Sequence, residues 1–132
     1  MEAKNYMTGI ASEYLVLSML YRLGADAYIT MGNKKSIDIG VIKEDGTRIS
    51  IDVKSVRGYS SIPVDNIKVE NNHFMVFVIY KNKFDDVSIM SKFYIVPCEV
   101  ASRRKHIYGK HMRVHPINDL KEYENAWNLL KE

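Results

Sequence analysis

The stretch Ile37–Lys54, IDIGVIKEDGTRISIDVK, holds two alternating runs on either side of a KEDGT turn. Apolar side chains recur at Ile37, Ile39 and Val41, then at Ile49, Ile51 and Val53. Each run reads as a strand with one buried face, and Asp-Gly between such runs signals a hairpin. A two-residue Asp45-Gly46 turn would pair Asp38 with Val53 and put Asp38 and Asp52 on opposite faces. A three-residue loop, Glu44-Asp45-Gly46 with Gly46 left-handed, instead pairs Ile37 with Val53, Ile39 with Ile51 and Val41 with Ile49. Only that register gathers all six apolar residues on one face, because a slip of one residue turns every side chain over. The same register sets Asp38 directly across from Asp52, with Cβ atoms roughly 4.5–5.5 Å apart. Lys54 falls on the face of Asp52.

Before the hairpin, Thr8 to Gly24 has helical spacing: Val16, Leu17, Leu20 and Leu23 form one stripe, and Gly24 is a stop. Glu13 sits at the N-terminal end of that stripe, so it points inward or along the rim. A short strand is expected at Ala27–Thr30, then a loop, MGNKKS. After an uninterpreted stretch, 56–72, the run HFMVFVIYK reads as a central strand buried on both faces. The aromatics Phe74, Phe77 and Tyr80 belong to that strand's core. SKFYIVP gives another strand, CEVASRRK a short helix after Pro97, and INDLKEYENAWNLLKE a C-terminal helix capped by Asn118 or Asp119. The expected class is α/β, a central mixed sheet flanked by helices.

The chain has 132 residues, 46% hydrophobic and 27% charged, which fits a single globular domain over 1–132. The one cysteine, Cys98, excludes an internal disulfide and reads as a buried thiol. The longest apolar run, Phe74–Tyr80, is too short to span a bilayer, and MEAKNYMTG has no apolar signal region. A cytoplasmic chain with no membrane partner is the expectation. The net charge is +3, but residues 102–118 hold Arg103, Arg104, Lys105, Lys110 and Arg113 and no acid. Such a patch suits a phosphate backbone; the bland alternative is a solvated loop and helix end.

Two facing carboxylates and a lysine suit a divalent cation and a phosphodiester. Mg²⁺ takes oxygen ligands, keeps several waters, and is commonly held by one or two carboxylates plus substrate phosphate. Asp38 and Asp52 supply the pair, and the Val53 carbonyl, whose side chain faces away, adds a ligand. Lys54 would position or help deprotonate the attacking water and offset phosphate charge. Glu13 would orient the metal's water shell or bind a second ion. Lys35, Ser55 and Arg57 are candidate phosphate contacts. Taken singly, Asp52 and Lys54 are a solvated strand face and Glu13 a helix-terminus charge; their convergence in the register the core demands is what argues otherwise.

The segments GIASEYLVLSMLYRLGA with Glu13, SIDIGVI with Asp38 and IDVKS with Asp52-Val53-Lys54 together resemble the PD-(D/E)XK nuclease superfamily, the restriction-endonuclease-like fold. In look the chain is nearest to small Holliday-junction-resolvase-like members, over roughly its first 55 residues. The resemblance implies an αβββαβ core, Mg²⁺- or Mn²⁺-dependent cleavage of DNA, and often a homodimer. It makes Asp38 and Asp52 metal ligands, Lys54 the catalytic lysine and Glu13 the helical acid. Ile37 stands where the family name has proline, and Asp52 where Glu is commoner.

Other constellations are weak. His106, His111 and His115 have no acid or Cys neighbours in sequence, which argues against a zinc site. No Gly-rich phosphate loop is present. The expected function is therefore a metal-dependent endonuclease that hydrolyses DNA phosphodiester bonds, with branched or junction DNA as the candidate substrate shape. The alternatives are a catalytically inactive nucleic-acid-binding or assembly module of the same fold, and a protein-interaction domain with an incidental acidic cleft.

Overall fold

The hairpin closes around three residues. Lys43 N–H donates to Thr47 O at 2.8 Å and Gly46 N–H to Lys43 O at 2.9 Å, with Gly46 at φ +89. Asp45 Oδ1 accepts the Thr47 N–H at 2.9 Å, and these bonds to Thr47 hold the Asp45 carboxyl below its ordinary range. The structure, a computed structural model, describes residues 2–33, 36–65, 67 and 69–132, and only the backbone at 2, 3, 31–33 and 36–38. Strands β2 (Ser36–Ile42) and β3 (Arg48–Val56) pair as Ile42↔Arg48, Val41↔Ile49, Gly40↔Ser50 and Ile39↔Ile51. That is the register the apolar residues demand.

The ladder ends there. The expected Ile37–Val53 and Asp38–Asp52 pairs lie beyond its last rung, and Asp38 pairs with Thr30 of β1 (Asp26–Asn33). β3 has a second commitment, parallel pairing with β5 (His73–Ile79) from Ser50 to Val56. β2 stays with β1, whose pairing is irregular between Thr30 and Asn33, and an irregularity of this kind bends a strand away from its neighbours. β1 also runs through Met31–Asn33, where a loop was expected.

Adding β6 (Lys92–Pro97) gives a five-stranded mixed sheet ordered β1-β2-β3-β5-β6. Helix α1 (Glu2–Arg22) covers one face with Val16, Leu17 and Leu20 against Ile39, Val41, Ile51, Val76 and Val78. It ends as anticipated: Gly24 takes φ +78 and Ala25 N–H reaches back to Leu20 O at 2.9 Å. Ser12, buried on this helix, donates to Thr8 O and shares a 2.8 Å hydrogen bond with Tyr80 Oη. Burial pushes the Tyr80 phenol up, opposed by that bond and by Arg57.

The opposite face is covered, among the described residues, over β5, β6 and the end of β3 at Val56. There Met75, Phe77, Tyr94 and Val96 pack against α2 (Cys98–Arg104) and a small sheet ordered β4-β8-β7, comprising β4 (Ile62–Pro63), β7 (His106–Tyr108) and β8 (His111–Val114). The β7–β8 hairpin lies in the basic segment, where no strand was expected. The crossover from β3 to β5, where an αβββαβ order would place a helix, contains only β4 among the described residues. Among those residues no helix is long and apolar enough to cross a membrane.

The expected C-terminal helix does not form. α3 (Pro116–Asp119) is one turn, followed by 3-10 turns at Lys121–Tyr123 and Trp127–Leu130. Leu120 belongs to the α2 side and Trp127 and Leu130 to the α1 side, so the chain must cross the sheet edge between them. It does so beside β6: Tyr94 bridges Glu124, Asn125 N–H donates to Phe93 O at 2.8 Å, and Asn125 adopts φ +55. Apolar spacing alone cannot separate one buried stripe from residues dealt to two cores. A left-handed conformation costs a β-branched residue about 1–2 kcal/mol or more. Asn125→Val should therefore lower unfolding free energy by at least that amount in urea titrations, while Asn125→Gly should leave it nearly unchanged.

Candidate active site

The backbone of β3 decides where the site opens. Ser50 N–H donates to Asn72 O at 2.9 Å, and Val56 O accepts from Tyr80 N–H at 3.1 Å. Residues 50, 52, 54 and 56 thus turn their backbone groups toward β5, and 49, 51, 53 and 55 turn theirs toward β2. Ile51 is paired with Ile39 on the last rung. Val53 follows, with β2 no longer paired to it, so its carbonyl faces the gap between the strands.

Side chains alternate the other way. Ile49, Ile51 and Val53 pack on the α1 side, and Ser50, Asp52 and Lys54 stand on the opposite face. Lys54 Nζ lies 3.7 Å from Asp52 Oδ2, and both side chains are 41% exposed. An ion pair this open contributes little to stability. It leaves a carboxylate that can exchange its ammonium partner for another cation.

Three further residues share this face and were not singled out from the sequence. Ser50 Oγ lies 2.6 Å from His73 Nδ1, its cross-strand neighbour on β5. The Tyr28 ring lies over Gly40, occupying the space any Cβ there would fill. Ser50 was legible as the residue two before Asp52 on the same alternation. His73 and Tyr28 join the face only through pairings made by β5 and β1.

Of the expected site residues, Asp52 and Lys54 are brought together. Asp38 has its backbone in β2, paired with Thr30 of β1, and its side chain lies outside the described residues. Glu13 is half-buried on α1, which covers the sheet face opposite to that of Asp52. Lys35 lies outside the described residues. Ser55 and Arg57 lie at the end of β3, beside the first turns of α1. Among the described residues, no group of three or more His, Cys, Asp or Glu side chains is placed to hold a metal ion. The Asp52 carboxylate and the Val53 carbonyl are oxygen donors, the type that Mg²⁺ and Mn²⁺ take.

The basic segment stands on the same side of the sheet, because α2 and β8 share a core with Met75 and Phe77, the β5 partners of Asp52 and Lys54. Folding brings acids onto it that the linear segment lacks. Arg104 pairs with Glu122 at 2.8 Å, donates to Asp119 O and lies over the Tyr123 ring. His106 bonds Asp119 at 2.7 Å, and His111 lies 3.7 Å from Asp65. Lys105 donates to Ser102, and Arg113 to Ser61 Oγ and Ser61 O. Arg103 and Lys110 stay exposed, and among the described residues no acid forms an ion pair with either.

Comparison with known proteins gives no matching family model, no matching curated protein and no matching solved structure.

The hydrogen bond from Arg104 holds the Glu122 carboxyl below its ordinary range. A depressed folded-state pKa contributes stability above the unfolded value, about 4.3, and loses it as pH falls further. The wild type should therefore lose more stability than Glu122→Gln when pH is lowered from about 5 to about 3. Equal losses in thermal melts across that window would show the pair to be idle.

Proposed function

We propose that this chain is a metal-dependent endonuclease that hydrolyses DNA phosphodiester bonds, with Mg²⁺ or Mn²⁺ as cofactor and a resemblance to the PD-(D/E)XK superfamily. The supporting observation is the pairing of an exposed Asp52 and Lys54 on one sheet face with the Val53 carbonyl turned into the adjoining gap. A bound divalent ion would polarise the scissile phosphate and make water a better nucleophile at neutral pH. Asp52 and the Val53 carbonyl, with Asp38, would hold that ion. Lys54, within reach of Asp52, would orient the attacking water and offset the charge that builds on the phosphate as the P–O ester bond breaks. Ser50 and His73, hydrogen-bonded on the same face, supply a nearby proton-handling pair. Arg103 and Lys110 would guide the polyanion toward this face. A homodimer would enlarge the contact surface of so small a body, and branched DNA is the substrate shape that the likeness to junction resolvases favours.

Incubation with supercoiled, linear and branched DNA, with Mg²⁺, Mn²⁺ or chelator, is the direct test. Cutting should require the metal and fall by about 10²-fold or more in both Asp52→Ala and Lys54→Ala. Binding without cutting under every condition would favour an inactive binding module of the same architecture. Separately, Arg103→Gln should flatten the dependence of log affinity on log salt by about 0.7–0.9. Arg104→Gln, whose charge Glu122 already balances, should change that slope less; the reverse order would discard the basic-segment assignment.

A further inference from the structure

A cavity of about 570 Å³ lies where the first turns of α1 meet the end of β3. Among the described residues, three cationic ones, Lys4, Lys54 and Arg57, line it and no acidic one does. Arg57 is fixed before any ligand arrives. Its Nε donates to Thr8 Oγ1 at 2.7 Å, its Nη2 to the Lys4 carbonyl at 3.4 Å, and its guanidinium lies 3.8 Å over the Phe84 ring. Phe84 is itself packed edge-on to Tyr80, which bonds Ser12 of α1. An arginine held on three sides has little rotamer freedom left to lose on binding, which is the usual cost of recruiting a long side chain. Its remaining guanidinium donors have the geometry to take phosphate oxygens. Val53 and Pro63 add apolar wall, and Gly58 leaves the rim without a side chain. Ser55 N–H points to the same side as the Val53 carbonyl, beyond the last β2–β3 rung.

We propose that this cavity is a phosphate-binding subsite that seats one nucleotide of a nucleic-acid strand, its phosphate held by Arg57, Lys4 and Lys54. Nucleotide as the ligand class rests on the nuclease reading above; capture of a phosphate group rests on the cavity alone. Lys54 lines the cavity and also pairs with Asp52, so a strand seated here would place its neighbouring phosphate beside the carboxylate. The phosphate belongs either to a strand end, as a monoester, or to the strand interior, as a diester.

The test needs no catalysis. With chelator present, the full chain is titrated with short oligothymidylates carrying a 5′-phosphate or a 5′-hydroxyl, and amide shifts are followed by NMR. Shifts at Gly9, Ser55 and Gly58 are expected, and affinity should weaken about tenfold in Lys4→Gln and in Arg57→Gln, as loss of one charge-assisted bond predicts. Lys131→Gln, far from the cavity, serves as the charge control and should bind as wild type. Tighter binding of the 5′-phosphorylated arm assigns the subsite to a strand end; equal binding assigns it to an internal phosphate. Shifts confined to other regions, or unchanged affinity in both variants with their folds intact, would overturn the subsite. A chain that binds here yet never cuts with metal leaves the subsite standing and sinks the hydrolase; one that cuts, but keeps wild-type affinity in both variants, sinks the subsite alone.

Discussion

β3 has to satisfy two neighbours running in different directions, and most of the molecule's character follows from that. Its first residues answer β2 in an antiparallel hairpin whose register six apolar side chains enforce. From Ser50 onward it also answers β5 in parallel, and that pairing outlasts the hairpin by several residues. A strand held on both sides at one end and on one side at the other leaves a gap in the sheet. Backbone polar groups at such a gap have no strand partner and are open to ligands or water. The gap is where the Asp52, Val53 and Lys54 tripeptide presents its polar atoms.

The two faces of the sheet divide the labour. α1 seals one with a continuous apolar stripe, so that face carries stability. The other is sealed over β5, β6 and the end of β3, and its bare part carries Tyr28, Ser50, Asp52, Lys54 and His73. The layer of α2 and the β4-β8-β7 sheet flanks that bare part and brings the basic segment with it. At the end of β3 a further set of contacts, from Arg57 through Phe84 and Tyr80 to Ser12, ties the start of α1 to both central strands. The position of α1 is therefore set by polar and aromatic contacts at one end and by Val16, Leu17 and Leu20 along its length.

Local pattern made the hairpin, α1, the central strand and α2 legible, because each is specified by contacts within a short window. Gly46 and Gly24 mark their turn and helix end for the same reason. What could not be read depended on partners distant in sequence. The Asp38–Asp52 pairing does not appear because the hairpin ladder stops at Ile39–Ile51, next to the irregularity in the β1–β2 pairing. Leu120, Trp127 and Leu130 mimic one helical stripe but are divided between two cores. The basic segment looked unopposed because Asp65, Asp119 and Glu122 reach it only after folding. His73 entered the site face through a parallel register that no hairpin signal encodes.

The passage of the C-terminal segment beside β6 has a colloidal consequence. β6 is the outermost strand on its side, and an outermost strand offers a row of backbone donors and acceptors to any other chain. Here the row is interrupted by the protein's own tail, through the Tyr94–Glu124 bridge and the bond from Asn125 to Phe93. Shortening the chain before Glu124 would strip that guard and uncover Phe93, against which Trp127 packs, turning a quiet sheet border into a template for intermolecular strand addition.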